Sequence, residues 1–120
     1  MATTFRADRA AEAIRMSISK ALREDINDPT LQEVTITKVE VTHDLSYARL
    51  YFTVMGDDQI VARNEALAGF TRAMPFLRSR VGEEVPLRSV PELGFKYDKG
   101  IENAMRLEEI FAELPELRKD

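Results

Sequence analysis

The stretch ALAGFTRAMPFLRSRV, residues 66–81, carries the spacing of an amphipathic helix, yet Pro75 stands in the middle of it. Proline in a helix interior removes one backbone hydrogen bond and crowds the preceding turn, at a cost of roughly 3 kcal/mol. It is tolerated at the first position of a helix, where its missing N–H would have had no partner. The spacing therefore predicts a break at Ala73-Met74-Pro75. One helix ends near Met74 and a shorter one, opened by Pro75, ends near Val81-Gly82. The new N-terminus would offer the Phe76 and Leu77 amides to an anion such as phosphate, with Arg78 and Arg80 close behind.

Outward from this stretch, two kinds of periodicity alternate. Residues 4–25 place Ala7, Ala11, Ile14, Ile18 and Leu22 on one helical stripe, and Asn27-Asp28-Pro29 stops it. VTITKVEVTH and YARLYFTVM are β-rich and alternating, joined by DLS, which predicts a hairpin. Ala48, Leu50, Phe52 and Val54 form the inner face of its second strand. In the first strand Val34 and Ile36 alternate in one phase and Val39 and Val41 in the other, which predicts a bulge near Thr37-Lys38. A helix from about Asp58 turns Ile60, Ala66, Leu67, Phe70 and Ala73 inward. A third strand follows in PLRSVPELGFKYD, with Leu93, Phe95 and Tyr97 on one face, and Leu107, Ile110, Phe111 and Leu114 mark a last helix. The order is helix, strand, strand, helix, break, helix, strand, helix. It predicts an α+β, two-layer domain over residues 1–120, its three-stranded sheet packed against helices, and it is the element order of a type II KH domain.

Composition excludes several chemistries. With no cysteine among 120 residues there is no thiol nucleophile, disulfide or thiolate metal site. The lone His43 sits in a turn beside Asp44. Asp57-Asp58, Glu83-Glu84 and Glu108-Glu109 are sequence neighbours, about 100° apart on a helix, and so poorly placed to share a proton or a metal. No phosphate-cradling glycine run occurs. No enzymatic activity, cofactor or metal is expected. Arg6 and Arg9 precede no apolar run and no segment approaches membrane-spanning length, so a cytoplasmic protein without membrane attachment is expected.

The net charge of −4 hides a segregation. Residues 1–23 and 63–99 are net positive, whereas 24–62 and 100–120 are net negative. On the first helix Arg6, Arg9, Lys20 and Arg23 gather opposite the apolar stripe, with Asp8 and Glu12 on the flank. The expectation is that this ridge joins Arg78, Arg80 and Arg88 in one phosphate-binding surface, with Lys96 and Lys99 as a further candidate contact. Phe52, Phe70, Phe95 and Phe111 are assigned to the core, which predicts recognition of folded RNA shape and phosphate geometry rather than of unpaired bases.

The segments RADRAAEAIRMSISKALREDINDP, VTITKVEVTHDLSYARLYFTVMGD, FLRSRVGEEVPLRSVPELGFKYD and IENAMRLEEI resemble, in order and spacing, those of ribosome-binding factor A, a bacterial assembly factor of the small ribosomal subunit. HDLSYARLYF and LRSVPELGFKYD are the most specific parts, and the likeness spans residues 6–111. It implies a type II KH-like fold in which the usual GxxG loop is replaced by an interhelical kink, commonly Ala-x-Gly. Here that kink reads Ala73-Met74-Pro75, with proline in the place of glycine. The resemblance further implies a monomer that binds immature free 30S subunits through 16S rRNA, near the 5′-end helix and the decoding region. It implies assistance to late rRNA processing, especially in the cold, and leaves room for a functional link to an assembly GTPase. Two other classes stay open on residues alone. One is a KH-like protein-interaction module without RNA contact, binding through exposed apolar surface such as Met16 or the last helix. The other is a hydrolase whose carboxylates only the fold assembles.

Overall fold

The computed structural model describes residues 2–55 and 59–100, with side chains from Arg6 onward. Its elements are α1 (Ala2–Glu24), a single 3-10 turn (Pro29–Leu31), β1 (Val34–Val41), β2 (Tyr47–Val54), α2 (Gln59–Glu84) and β3 (Glu92–Tyr97). β2 is the central strand, antiparallel to β1 and parallel to β3. The turn GDD and the expected last helix with Leu107, Ile110, Phe111 and Leu114 lie outside the described residues.

Alternation fixes which side of the sheet is covered. Ala48, Leu50, Phe52 and Val54 are all buried. The β1 register slips between Ile36 and Lys38, leaving Thr37 as the extra residue. That bulge reverses the phase of the strand, so that Ile36 faces Phe52 while Val39 and Val41 face Leu50 and Ala48. The helices close over this face with Ile14, Ile18, Ala21 and Leu22 from α1 and Ala66, Phe70, Leu77 and Val81 from α2. Aromatic rings fill the centre. Phe70 stacks on Phe95 with centroids 3.9 Å apart, and Phe52 meets Phe70 and Tyr97 edge-on at 5.1 and 5.7 Å. These edge contacts match the preference of aromatic quadrupoles.

α2 departs from the sequence expectation. It runs from Gln59 to Glu84 without a break, with Pro75 inside it. Pro75 therefore opens no second helix, the interhelical kink at Ala73-Met74-Pro75 is absent as a break, and no helix N-terminus presents free amides at Phe76 and Leu77. Burial on both sides of the proline explains why. Ala66, Phe70, Leu77 and Val81 are buried and Ala73 and Met74 pack against the same cluster, so one stripe at spacings of three and four crosses the proline. Sinking Leu77 and Val81 stabilises that stripe by roughly 1.5–3 kcal/mol each, which offsets the roughly 3 kcal/mol proline penalty. Pro75 and Thr71 are both exposed, so the Thr71 carbonyl that lacks an amide partner lies on the solvent side.

Ile60 and Leu67 also depart from expectation, being 63% and 37% exposed. Ile60 precedes Ala62, where α2 first meets the core, and Leu67 sits one residue off the buried stripe. Local chemistry holds the connections. The Asp28 carboxylate accepts from the Thr30 amide at 3.0 Å and the Thr30 hydroxyl at 2.7 Å, capping the 3-10 turn. Arg72 of α2 clamps the same carboxylate through Nε and Nη2, at 3.1 and 2.9 Å. In the hairpin, Leu45 takes a positive φ of 61°, and Asp44 braces the turn by accepting from Thr42 and Ser46 hydroxyls at 2.8 and 2.7 Å.

Candidate nucleic-acid interface

The cations singled out from sequence fall into four environments. Arg6 and Arg88 line one cleft of about 350 Å³ with His43, Asp44, Leu45, Leu87 and Ser89. Both arginines are exposed. The start of α1, the hairpin turn and the approach to β3 thus bring to one cleft two arginines that are 82 positions apart in the chain. Asp44 faces the same cleft, but its carboxyl already accepts hydrogen bonds from Ser46 and Thr42, which hold it below its ordinary pKa.

Along α1, Arg9, Lys20 and Arg23 are exposed. Arg23 makes a 3.5 Å ion pair with Glu24, an exposed contact of the kind that contributes only about 0–1 kcal/mol. Lys20 lies near Glu84. Lys96 points to the solvent side of β3 and Lys99 follows that strand, both exposed.

Arg78 and Arg80 are placed differently. Two positions apart on α2, they project about 200° from one another. Arg78 Nη1 donates to the Pro91 carbonyl at 2.9 Å, and Nη2 reaches the Val90 carbonyl at 3.5 Å. Arg80 Nη2 lies 2.7 Å from Asp25 Oδ2 and 3.8 Å from Glu84 Oε2, with its guanidinium 5.8 Å from the Phe76 ring centre. Glu84 also accepts a 2.6 Å hydrogen bond from the buried Ser17 hydroxyl. Ser17 above all, with Arg80 and Lys20 nearby, holds the Glu84 carboxyl below its ordinary pKa. Arg78 thus ties α2 to the entry of β3, and Arg80 ties it to the end of α1. The structure joins Arg6 to Arg88 but turns Arg78 and Arg80 to separate internal contacts.

Sequence reasoning missed the aromatics on the other side of the sheet. Phe52, Phe70 and Phe95 are core residues, but Tyr47 and Tyr51 are half-buried and alternate with the inward residues of β2, with the exposed Arg49 between them. The signal was available, because the phase that sends Ala48, Leu50 and Phe52 inward sends Tyr47, Arg49 and Tyr51 outward. Among the described residues no group of three or more His, Asp or Glu side chains could hold a metal ion. None of the described helices is long and apolar enough to cross a membrane.

Comparison with known proteins gives a consistent result. The family model of ribosome-binding factor A matches residues 6–111. The ribosome-binding factor A of Desulforamulus reducens is 41% identical over 111 residues, covering 92% of this chain and 91% of that protein. That of Moorella thermoacetica is 37% identical over 114 residues, covering 93% and 92%. Among solved structures, the crystal structure of ribosome-binding factor A from Thermus thermophilus superposes with a TM-score of 0.68 at 19% identity, covering 78% of this chain and 97% of that one. A homology model of the Thermus thermophilus protein, fitted into a cryo-EM map of a 30S–ribosome binding factor A complex, gives a TM-score of 0.62 at 20% identity, with coverages of 78% and 94%. The fold is the KH-like one of these structures, with two helices on a three-stranded mixed sheet.

Proposed function

This chain belongs to the ribosome-binding factor A family, and on that premise we propose that it is a non-enzymatic assembly factor for the small ribosomal subunit. It binds immature free 30S particles in the cytoplasm as a monomer, contacts 16S rRNA near the 5′-end helix, and assists late maturation and processing, with its largest effect in the cold. It acts by occupying a site on the particle and not by chemistry. A functional link to an assembly GTPase belongs to the same reading. The observation that carries the proposal is the near full-length similarity to proteins of that name, and the relative fitted into a 30S complex supports it.

The geometry supports a narrower set of phosphate contacts within this reading. Arg6 and Arg88, exposed at one cleft, are the central pair, with Arg9, Lys20 and Arg23 along α1 and Lys96 and Lys99 beyond. Arg78 and Arg80 serve this surface indirectly, by fixing the elements that carry it. Backbone contacts of this kind give affinity without sequence reading, and their strength falls steeply with salt.

Sedimentation of the tagged protein in cell lysate tests the proposal. It requires co-migration with free small subunits, absence from translating ribosomes, and release as salt rises. Binding indifferent to salt would instead favour a protein-interaction module using exposed apolar side chains such as Met16 and Phe76, which are 59% and 41% exposed.

A further inference from the structure

The face of the sheet opposite the helices carries a row of planar groups. Tyr47, Arg49 and Tyr51 occupy alternate positions of β2, about 6.6 Å apart along the strand. β1 sets Lys38 opposite Tyr51 and Glu40 opposite Arg49, and β3 sets Gly94 beside Arg49 and Lys96 beside Tyr51. Each ring is held in place. A Cβ at Gly94 would fall 2.9 Å from Tyr47 Cζ, so the absence of a side chain there lets the Tyr47 ring lie across the β3 backbone. The Tyr51 hydroxyl donates to Glu40 at 2.9 Å and receives Arg49 Nη1 at 3.5 Å. The Lys38 ammonium stands over the Tyr51 ring, 5.1 Å from its centre, so a ring face is turned outward and attracts a cation.

We propose that this open face is a stacking platform for a short unpaired RNA segment of about three nucleotides, its bases lying on Tyr47, Arg49 and Tyr51. The proposal rests on the rRNA-binding reading and adds to it a second surface, distinct from the Arg6–Arg88 cleft. Three arguments carry it. Tyrosine rings and guanidinium planes are the groups on which splayed-out bases stack, and here three alternate along one rigid strand. Rings already braced by Glu40, Arg49 and Gly94 lose little rotamer freedom on binding. Charge is balanced on an otherwise acidic chain: the face carries Lys38, Arg49 and Lys96 against Glu40, Glu92 and Asp98 on a chain of net charge −4, and two of the acids are already engaged, Glu40 by Lys38 at 3.3 Å and by Tyr51, and Asp98 by Thr37. A base arriving on Tyr51 displaces the Lys38 ammonium from the ring while its pair with Glu40 persists, and Lys96 meets the adjacent phosphate from the other side of the strand. Stacking of this kind tolerates any base, so the platform selects single-stranded over paired RNA.

The test uses a nonamer of oligoadenylate as the probe. The chain has three tyrosines and no tryptophan, so ring proton signals in an NMR titration report each position separately. Tyr47 and Tyr51 should shift, while Tyr97, packed edge-on against Phe52, should not. By fluorescence anisotropy, Tyr47→Leu and Tyr51→Leu should each weaken nonamer binding roughly 5- to 150-fold, the range for loss of one stacked base. Tyr47→Phe and Tyr51→Phe, which keep the rings, should bind within about twofold of the original on the same stacking argument. Unshifted Tyr47 and Tyr51 signals, no nonamer binding, or leucine variants that bind unchanged would each overturn the platform. Small-subunit co-sedimentation of the unmodified protein is measured alongside. Its loss counts against the assembly-factor reading, whereas its persistence with a failed nonamer titration removes the platform alone.

Discussion

Arg78 Nη1 donates a 2.9 Å hydrogen bond to the carbonyl of Pro91, a residue with its side chain fully buried at the entry to β3. A charged donor on a half-buried carbonyl is among the stronger hydrogen bonds in a protein, and its removal leaves the acceptor without its partner. Arg78→Ala should therefore lower unfolding stability by about 1–3 kcal/mol. Urea denaturation measures it. A loss below about 0.5 kcal/mol, typical of a neutral surface substitution, would return Arg78 to the set of cations proposed to contact phosphate directly.

Gly69 lies where α2 crosses the 3-10 turn. A Cβ there would collide with Thr30 Oγ1 and come within 3.0 Å of Leu31 Cγ. Gly69→Ala gains helix propensity of about 1 kcal/mol but forces the turn away from the helix, and overpacking costs typically about 1–3 kcal/mol. Net destabilisation is expected, because the displaced hydroxyl also holds Asp28 and Arg72. Combining it with Thr30→Ala should give less than the sum of the two single effects, which a double-mutant cycle by thermal or urea unfolding reads directly.

Pro75 offers a substitution with the opposite sign. Because α2 is continuous and Pro75 exposed, Pro75→Ala restores an amide for Thr71 and removes a ring from the preceding turn. Stability should rise by roughly 1–3 kcal/mol, and Pro75→Gly should gain less, since glycine is itself about 1 kcal/mol poorer than alanine in a helix. An unchanged or lowered unfolding midpoint for Pro75→Ala would mean that the chain does break there.

What the sequence disclosed and concealed follows from the range of the forces involved. The β2 face and the bulge at Thr37 were legible because side-chain alternation is local. The break at Pro75 was misjudged because propensity is also local, whereas the burial of Leu77 and Val81 that overrides it comes from α1 and the sheet. The partners of Arg78 and Arg80 lie 13 and 55 positions away. A helical wheel shows such arginines as basic patch and cannot show that they are occupied. Arg6 is legible as part of the ridge opposite the apolar stripe and Arg88 as a cation of a positive segment, but only the fold sets them in one cleft.

Acid should unfold the protein by a route that Asp28 exposes. The Thr30 hydroxyl and amide, followed by Arg72, hold its carboxyl below the ordinary value of 3.8. A folded-state pKa below the unfolded one means that the unfolded chain binds more protons, so the stabilisation is present above about pH 4 and is lost as pH falls through the folded value. Asp44, Glu84 and Asp98 are lowered in the same sense. Unfolding midpoints should therefore drop steeply below about pH 4, near the ordinary carboxylate range. Asp28→Asn should be less stable at neutral pH and show a shallower acid limb. An acid limb parallel to that of the unmodified protein would show that Asp28 contributes nothing through its charge.

The Arg6–Arg88 cleft makes the sharpest claim about function. Each arginine is exposed, so Arg6→Glu and Arg88→Glu should leave unfolding stability within about 0.5 kcal/mol. Each reversal replaces a cation that releases a counterion on meeting phosphate, so small-subunit affinity should fall in both. The slope of log affinity against log salt should also flatten, by about one for each contact removed. Because both side chains line one cleft, the phosphates proposed for them are neighbours, and the double reversal should cost less than the two singles added together. Titrating purified small subunits at several salt concentrations measures all three quantities. Unchanged slopes in both single variants would clear the cleft of any phosphate contact and move the search to Lys96, Lys99 and the open face of the sheet.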